Sequence, residues 1–175
     1  KEYTAQLIGL MSEHWAVHDA SILISITGAA QDMSLTTRLE QSFKRGLAQA
    51  AQATSAWIVT GGTDSGVMKL VGEGMAEYNA LERVQLIGIA NWGNIHGREA
   101  LFDVRDGVIE YAKTKPNDAT GANLEPNHTH FLLVDGGVNE DGQFWGTAME
   151  LRLAIEKAYC KAYAVPRVML SIQGG

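Results

Sequence analysis

A glycine-rich stretch, TGGTDSGVMK at residues 60–69, has the composition of a loop that binds an anion. It follows the apolar run AWIV and precedes a segment with helical periodicity. Glycine permits positive φ angles and lets a ligand approach the main chain, and the N–H groups at a helix start point towards an anion. The stretch therefore predicts a phosphate-binding turn, and it equally fits a plain strand-to-helix turn capped by serine or aspartate.

Five short apolar runs predict the strands of a buried sheet, because each is bounded by turn residues. They lie at residues 21–27, 56–60, 84–90, 130–135 and 167–172. Apolar residues at helical spacing follow three of these runs, at residues 35–51, 67–78 and 151–162. Strands that alternate with helices predict an α/β fold with a doubly wound parallel sheet of Rossmann type.

Residues 91–128 show neither the apolar pattern of a strand nor that of a helix, and they are rich in Gly, Asn, Pro and charged residues. They are predicted to form a long loop or insertion, and loops of this length tend to be functional or mobile. Thr37 with Glu40 offers a capping box near the start of the first of the three helices. The length of 175 residues fits a single domain with enough interior for a hydrophobic core.

Small and polar residues follow all five predicted strands. In an open α/β sheet, ligands bind beyond the carboxyl ends of the strands, near the point where the strand order reverses. Turn chemistry explains any one of these strand ends, whereas five of them together favour a ligand cleft. The residues concerned are Gly28 to Ala30, Gly61 to Thr63, Asn91 to Gly93, Gly136 and Gly137, and Gly174 and Gly175.

Composition argues against several classes of partner. The formal charge of −6 is unsuited to nucleic acid or an anionic membrane, and no run approaches the roughly 18 apolar residues that span a bilayer. The single Cys160 cannot form an internal disulfide, which favours a reducing compartment. His14 and His18 stand at i, i+4 spacing without a third ligand, so no metal site is predicted.

Other charged and titratable side chains are given structural roles. Lys44 and Arg45 are predicted to lie on a solvated helix face, with a contact between subunits as the alternative. His128 and His130 flank the fourth strand at period two, which favours hydrogen bonding at the strand start over metal coordination.

Three segments, in this order, resemble the amino-terminal homology region of melastatin-type TRP cation channels, a region of the SLOG superfamily. They are residues 22–73, 87–101 and 124–137, and the resemblance runs from about Leu7 to Gly175. It implies a Rossmann-like cytosolic domain in a much longer channel subunit, which assembles as a homotetramer and contacts other channel domains. In members gated by ADP-ribose this domain can form a nucleotide site, and no further cofactor is required.

The resemblance also implies roles for individual residues. The glycine loop would supply N–H groups to a phosphate. The Gly-Gln-aromatic-Gly motif of the family matches residues 142–146, which makes Trp145 or Phe144 the adenine-stacking residue, and Arg152 would pair with a phosphate through its planar fork. The implied ligand-binding residues are Thr27, Gly28, Gly61, Gly62, Thr63, Asp64, Ser65, Gly66, Asn91, Trp92, Gly136, Gly137, Phe144, Trp145, Arg152 and Gly174.

Departures from the family pattern leave the identity of the ligand open. The turn at residues 135–141 is longer and more acidic than the turn usual in the family, and acid near a pyrophosphate weakens binding.

An enzyme is the alternative from another class. Related phosphoribohydrolases carry a Gly-Gly-x-Gly-Thr-x-x-Glu motif and an upstream arginine, whereas here residues 136–137 and 146–150 are separated by eight residues, with Arg98 upstream. Thr147 with Glu150 also forms a plain capping box. No catalytic residue is therefore predicted. A domain that serves only channel assembly, with an empty cleft, is the third possibility.

Overall fold

The computed structural model describes residues 2–15, 20–30, 33–102, 107–118, 120–138, 140, 142 and 146–172. Phe144, Trp145 and Gly174 lie outside the described residues, as does His18. The helices and strands are α1 (Glu2–His14), β1 (Leu23–Gly28), α2 (Thr37–Ala53), β2 (Trp57–Thr60), α3 (Gly66–Glu77), β3 (Gln85–Asn91), β4 (His130–Val134), α4 (Met149–Tyr163) and β5 (Arg167–Ile172).

The five strands form one parallel sheet in the order β4-β3-β2-β1-β5. The chain builds the sheet outwards from β1 to β4 and then returns to place β5 on the other side of β1. The order therefore reverses between β1 and β5, where an open α/β sheet leaves a crevice. This confirms the predicted α/β fold, and all five predicted strands lie within two residues of their predicted bounds.

Alternate strand residues point into two separate cores. Ile26, Ile58 and Leu86 pack with α2 and α3 on one face of the sheet. Trp57 and its neighbours pack with α1 and α4 on the other face, where the rings of Trp57 and Tyr159 stack with centroids 4.3 Å apart. Helices cover both faces, so the central strands are buried on both sides and read as continuous apolar runs. Among the described residues, none of the helices combines the length and apolar character needed to cross a bilayer.

Both predicted capping boxes are wrong. The cap of α2 is Thr36, whose Oγ1 accepts a hydrogen bond from the Leu39 N–H, because the helix already includes Thr37. Helix α4 begins after Ala148, which has no capping side chain. The Thr147 hydroxyl is instead bonded to the side chain of Asn91.

Lys44 is not on a solvated helix face, as the sequence suggested, but lies buried between α2 and α3 with 6 % of its surface exposed. Its Nζ lies 2.8 Å from Glu40 and 2.9 Å from Glu73, on the facing helix. Burial lowers its pKa, but the hydrogen bonds and charges of these two carboxylates outweigh burial and hold the pKa above the ordinary value. Gly74 leaves the space that the lysine stem fills.

Replacing Lys44 by methionine is expected to lower the free energy of unfolding by about 1 to 2 kcal/mol, because the carboxylates around it lose their shared cation. Since the folded-state pKa is raised, the contribution is present at neutral pH and is lost as the pH rises through the lysine range. Urea unfolding at pH 7 measures the change, with exposed Lys157→Met on α4 as the matched control. An equal or smaller loss in Lys44→Met than in the control would contradict this assignment.

Candidate functional site

A cavity of about 1280 Å³ opens beyond the carboxyl ends of the strands. The ends of β1 and β3, the glycine loop at residues 60–66 and the start of α4 line it. Residues 68 and 69 of α3 and residues 94, 122 and 123 also line it, and a further wall is residues 113–118, which we call the strap. The strap belongs to the aperiodic segment 91–128, which also holds two short 3-10 helices at Trp92–Asn94 and Arg98–Leu101. The long loop thus completes the cavity.

The residues predicted to bind ligand divide into three groups. Eight of them line the cavity: Thr27, Gly28, Gly61, Thr63, Asp64, Ser65, Asn91 and Arg152. Five lie near it without lining it: Gly62, Gly66, Trp92, Gly136 and Gly137. Phe144, Trp145 and Gly174 are outside the described residues. A direct contact of any of these residues with a ligand stays a prediction.

Gly62 and Gly66 shape the glycine loop through their backbone angles, with φ of +72° and +48°. A Cβ at position 62 would lie 2.8 Å from the Cα of Gly88, and one at position 66 would lie 2.0 Å from the Ala29 carbonyl oxygen. Both glycines are therefore required by a left-handed conformation and by close packing against backbone. Their space is filled by the protein itself.

Asn91 ties the end of β3 to the segment before α4. Its Nδ2 donates to the Gly137 carbonyl at 3.0 Å and to the Thr147 hydroxyl, while its Oδ1 accepts from the Gly93 N–H at 2.7 Å. Gly136 lies against these same groups, since a Cβ there would be 3.0 Å from Thr147 Oγ1. Trp92 instead packs edge-on against the exposed Phe102, with centroids 5.0 Å apart.

Arg152 lines the cavity but is only 3 % exposed. Its Nε donates to Glu156 at 2.9 Å, and its Nη2 donates to the hydroxyl of Ser25 and to the carbonyls of Ile26 and Val59 at 2.8 to 2.9 Å. The guanidinium therefore joins α4 to the ends of β1 and β2, and a buried carboxylate balances its charge. Sequence reasoning did not predict this network, because Ser25, Ile26 and Val59 are far from Arg152 along the chain.

A buried chain of hydrogen bonds, through Glu125, His128 and Thr60, stabilises the glycine loop. The Nδ1 of His128 lies 2.7 Å from the Glu125 carboxylate and its Nε2 lies 2.7 Å from the Thr60 hydroxyl, which accepts from the Gly62 N–H at 2.9 Å. The Glu125 N–H also donates to the Gly62 carbonyl at 3.0 Å. His128 therefore has the structural role predicted for it, with partners that the sequence did not indicate.

Charged groups around the cavity are mostly paired. Lys113 Nζ lies 2.5 Å from the Asp64 carboxylate, and Lys115 Nζ lies 3.3 Å from that of Asp118. Hydrogen bonds from the side chain and backbone of Thr120 hold the pKa of Asp118 well below its ordinary value, so it is ionised at neutral pH. Lys69 is exposed, lines the cavity and makes no ion pair within the described part of the chain.

Two amide oxygens near the strap are buried without a hydrogen-bond partner, those of Asn94 and Asn123, and both residues line the cavity. Buried acceptors without a partner are uncommon in folded proteins. In the described ranges, no group of three or more His, Cys, Asp or Glu side chains is arranged to hold a metal ion.

Comparison with known proteins places this chain in a family. A family model described as SLOG in TRPM matches residues 1–175. The chain is 39% identical to rat transient receptor potential cation channel subfamily M member 2, over 95% of the chain and 12% of that channel. It is 37% identical to the subfamily M member-like 2 channel of Nematostella vectensis, over 97% of the chain and 12% of that channel. It is 35% identical to human subfamily M member 7, over 97% of the chain and 9% of the channel.

The chain thus spans about a tenth of the length of these relatives. The match to the family model nevertheless extends over every residue of the chain, and the relatives are TRPM channels. This chain belongs to the SLOG domain family of TRPM cation channels.

Proposed function

We propose that this domain is a non-catalytic ligand sensor of a TRPM-type cation channel, and that it binds ADP-ribose or a related adenine nucleotide to regulate gating. The cavity beyond the strand ends is the observation that carries the proposal. Ligands of open α/β sheets bind in that place, and the cavity exceeds the upper end of the range usual for small-molecule sites.

The glycine-loop side of the cavity suits a phosphate. Helix α3 begins there, its capping residue Ser65 makes no side-chain capping bond, and its first turn holds no acidic residue. The first N–H groups of a helix lack intrahelical partners and carry partial positive charge. In α3 the Val67 N–H already donates to the Ala29 carbonyl at 3.0 Å, so Gly66 and Met68 offer their N–H groups to a ligand. Lys69, in this first turn, adds a full charge, so a phosphate would meet both.

The rest of the cavity suits a nucleoside. Met68, Ile89 and Met149 offer apolar surface to a base. The unpartnered oxygens of Asn94 and Asn123 would accept hydrogen bonds from ribose hydroxyls or an amino group. Ligand donors of this kind would relieve the cost of burying the two oxygens.

The position of Glu150 supports a sensor over an enzyme. This glutamate would be the carboxylate of a phosphoribohydrolase-like motif, but it is exposed and does not line the cavity. A carboxylate stabilises an oxocarbenium-like centre only when it is held against the ribose.

As part of the same proposal, the domain lies on the cytosolic side of the membrane in a homotetramer, contacts other channel domains and binds no nucleic acid.

Calorimetry of the chain with ADP-ribose, AMP and cyclic ADP-ribose, with product analysis of the same mixtures, tests the proposal. We expect binding of at least one of these nucleotides without turnover. Lys69→Met should weaken that binding about five- to ten-fold through loss of one charge near the phosphate, whereas Lys157→Met should leave it unchanged. Turnover would instead indicate an enzyme. If the chain shows no binding and no turnover, the remaining alternative is a domain that serves only channel assembly.

A further inference from the structure

Asp64 joins the glycine loop to the segment 91–128 by three hydrogen bonds, two of them to the strap. Its N–H donates to the Asn123 carbonyl at 2.8 Å, its carbonyl accepts from Asn117 Nδ2 at 2.6 Å, and its carboxylate accepts from Lys113 Nζ at 2.5 Å. The Asp64 side chain is 12% exposed, whereas that of Lys113 is 54% exposed. The backbone bonds fix Asp64 in place, while the lysine has freedom to move.

The carboxylate of Asp64 stands where an anion would arrive. Asp64 lies between Thr63 and Ser65, and all three residues line the cavity next to the start of α3. A phosphate held by the first N–H groups of α3 would therefore lie close to a negative charge that the backbone cannot withdraw. Only Lys113 neutralises that charge through an ion pair among the described residues.

We propose that Asp64 and Lys113 set the affinity of the cavity for anions: Asp64 competes with the ligand phosphate for the Lys113 ammonium, and the ligand takes the lysine over when it binds. This inference rests on the proposed function, because it concerns the same cavity. The lysine ammonium is a compact charge on a flexible stem, so it transfers from a carboxylate to a phosphate without backbone movement.

The exchange couples ligand binding to the strap. Lys113 belongs to the strap, so a phosphate that takes over its ammonium contacts this wall of the cavity directly. The two backbone hydrogen bonds of Asp64, to Asn117 and Asn123, keep the loop and the wall in place during the exchange. Neutral ligands leave the Asp64–Lys113 pair in place.

Asp64→Asn tests the competition, because asparagine keeps the shape and the backbone bonds but removes the charge. Calorimetry with pyrophosphate and with ADP-ribose should show affinity about ten-fold higher than that of the parent. Affinity for adenosine, which carries no charge, should be unchanged. Glu82→Gln is the matched control: it removes the same charge from an exposed residue just before the amino end of β3, far from the cavity.

Lys113→Met completes the test. This variant of the parent should bind pyrophosphate about ten-fold more weakly. Lys161→Met on α4 is its control. The effects of Lys113→Met and Asp64→Asn should be non-additive, because the two side chains are in contact. Unchanged or weaker pyrophosphate affinity in folded Asp64→Asn would overturn the inference. If pyrophosphate responds as expected while no adenine nucleotide binds, the proposed function alone fails, and if no probe binds the parent or Asp64→Asn, both fail.

Discussion

Replacing Gly62 by valine is expected to lower the free energy of unfolding by about 3 to 5 kcal/mol. The loss has two causes: valine tolerates the left-handed backbone conformation poorly, and its side chain overpacks the site. Its φ is +72°, and a Cβ would lie 2.8 Å from Gly88 Cα and 3.2 Å from Phe131 Cε1. The Gly88 Cα is backbone of β3 and cannot move without separating this strand from the loop. Urea or thermal unfolding of the variant measures the loss.

Gly137→Val is the matched control for this effect. Gly137 has a similar φ of +64°, but a Cβ there meets nothing within 4 Å. We expect it to cost about 1 to 2 kcal/mol, the backbone part alone. Equal losses at positions 62 and 137 would show that the packing against Gly88 contributes nothing, contrary to the structure.

Arg152→Met is expected to lower the free energy of unfolding by about 3 kcal/mol, because it leaves the buried Glu156 carboxylate without its main partner. Arg167, whose Nη1 lies 3.3 Å from Glu156, limits the loss. The sequence suggests a ligand-binding defect for this arginine, whereas its contacts with Ser25 and Glu156 predict a stability defect first. Unfolding and ADP-ribose affinity therefore have to be measured on the same variant.

The double variant Arg152→Met with Glu156→Gln separates the two effects. Removing the carboxylate charge should recover part of the lost stability, because the uncompensated charge is gone, but it should not recover affinity for ADP-ribose if Arg152 also contacts a phosphate. Unfolding of Arg152→Met that matches the parent would contradict the role described for this network.

The strands were predictable because burial on both faces leaves a local signature. Runs such as LISIT and WIVT are mostly apolar and do not alternate with charged residues, and the residues after them mark where each strand ends. The same reasoning located the cavity, since parallel strands bring their carboxyl ends to one edge of the sheet. Helix α1, at Glu2–His14, was not predicted.

Partners from distant parts of the chain were not predictable. Lys44 has the surroundings of a surface lysine in its own helix, and only the approach of α3 buries it. His128 pairs with Thr60 across 68 residues, and Arg152 reaches Ser25 across 127. The segment 91–128 lacks a period because isolated bridges hold it in place of regular strands: among the described residues, Thr63 with Leu124 joins it to the glycine loop, and two further bridges lie within the segment.

An amide NMR titration of the chain with ADP-ribose tests most directly that the cavity beyond the strand ends is a nucleotide site. We expect the largest shifts at residues 63–65 of the glycine loop, at residues 68 and 69 of α3, and at residues 113–115, 117 and 118 of the strap, all of which line the cavity. Residues 81–85, at the amino end of β3, should not respond. Shifts confined to the amino ends of the strands, or no shifts at saturating ADP-ribose, AMP and cyclic ADP-ribose, would contradict the assignment.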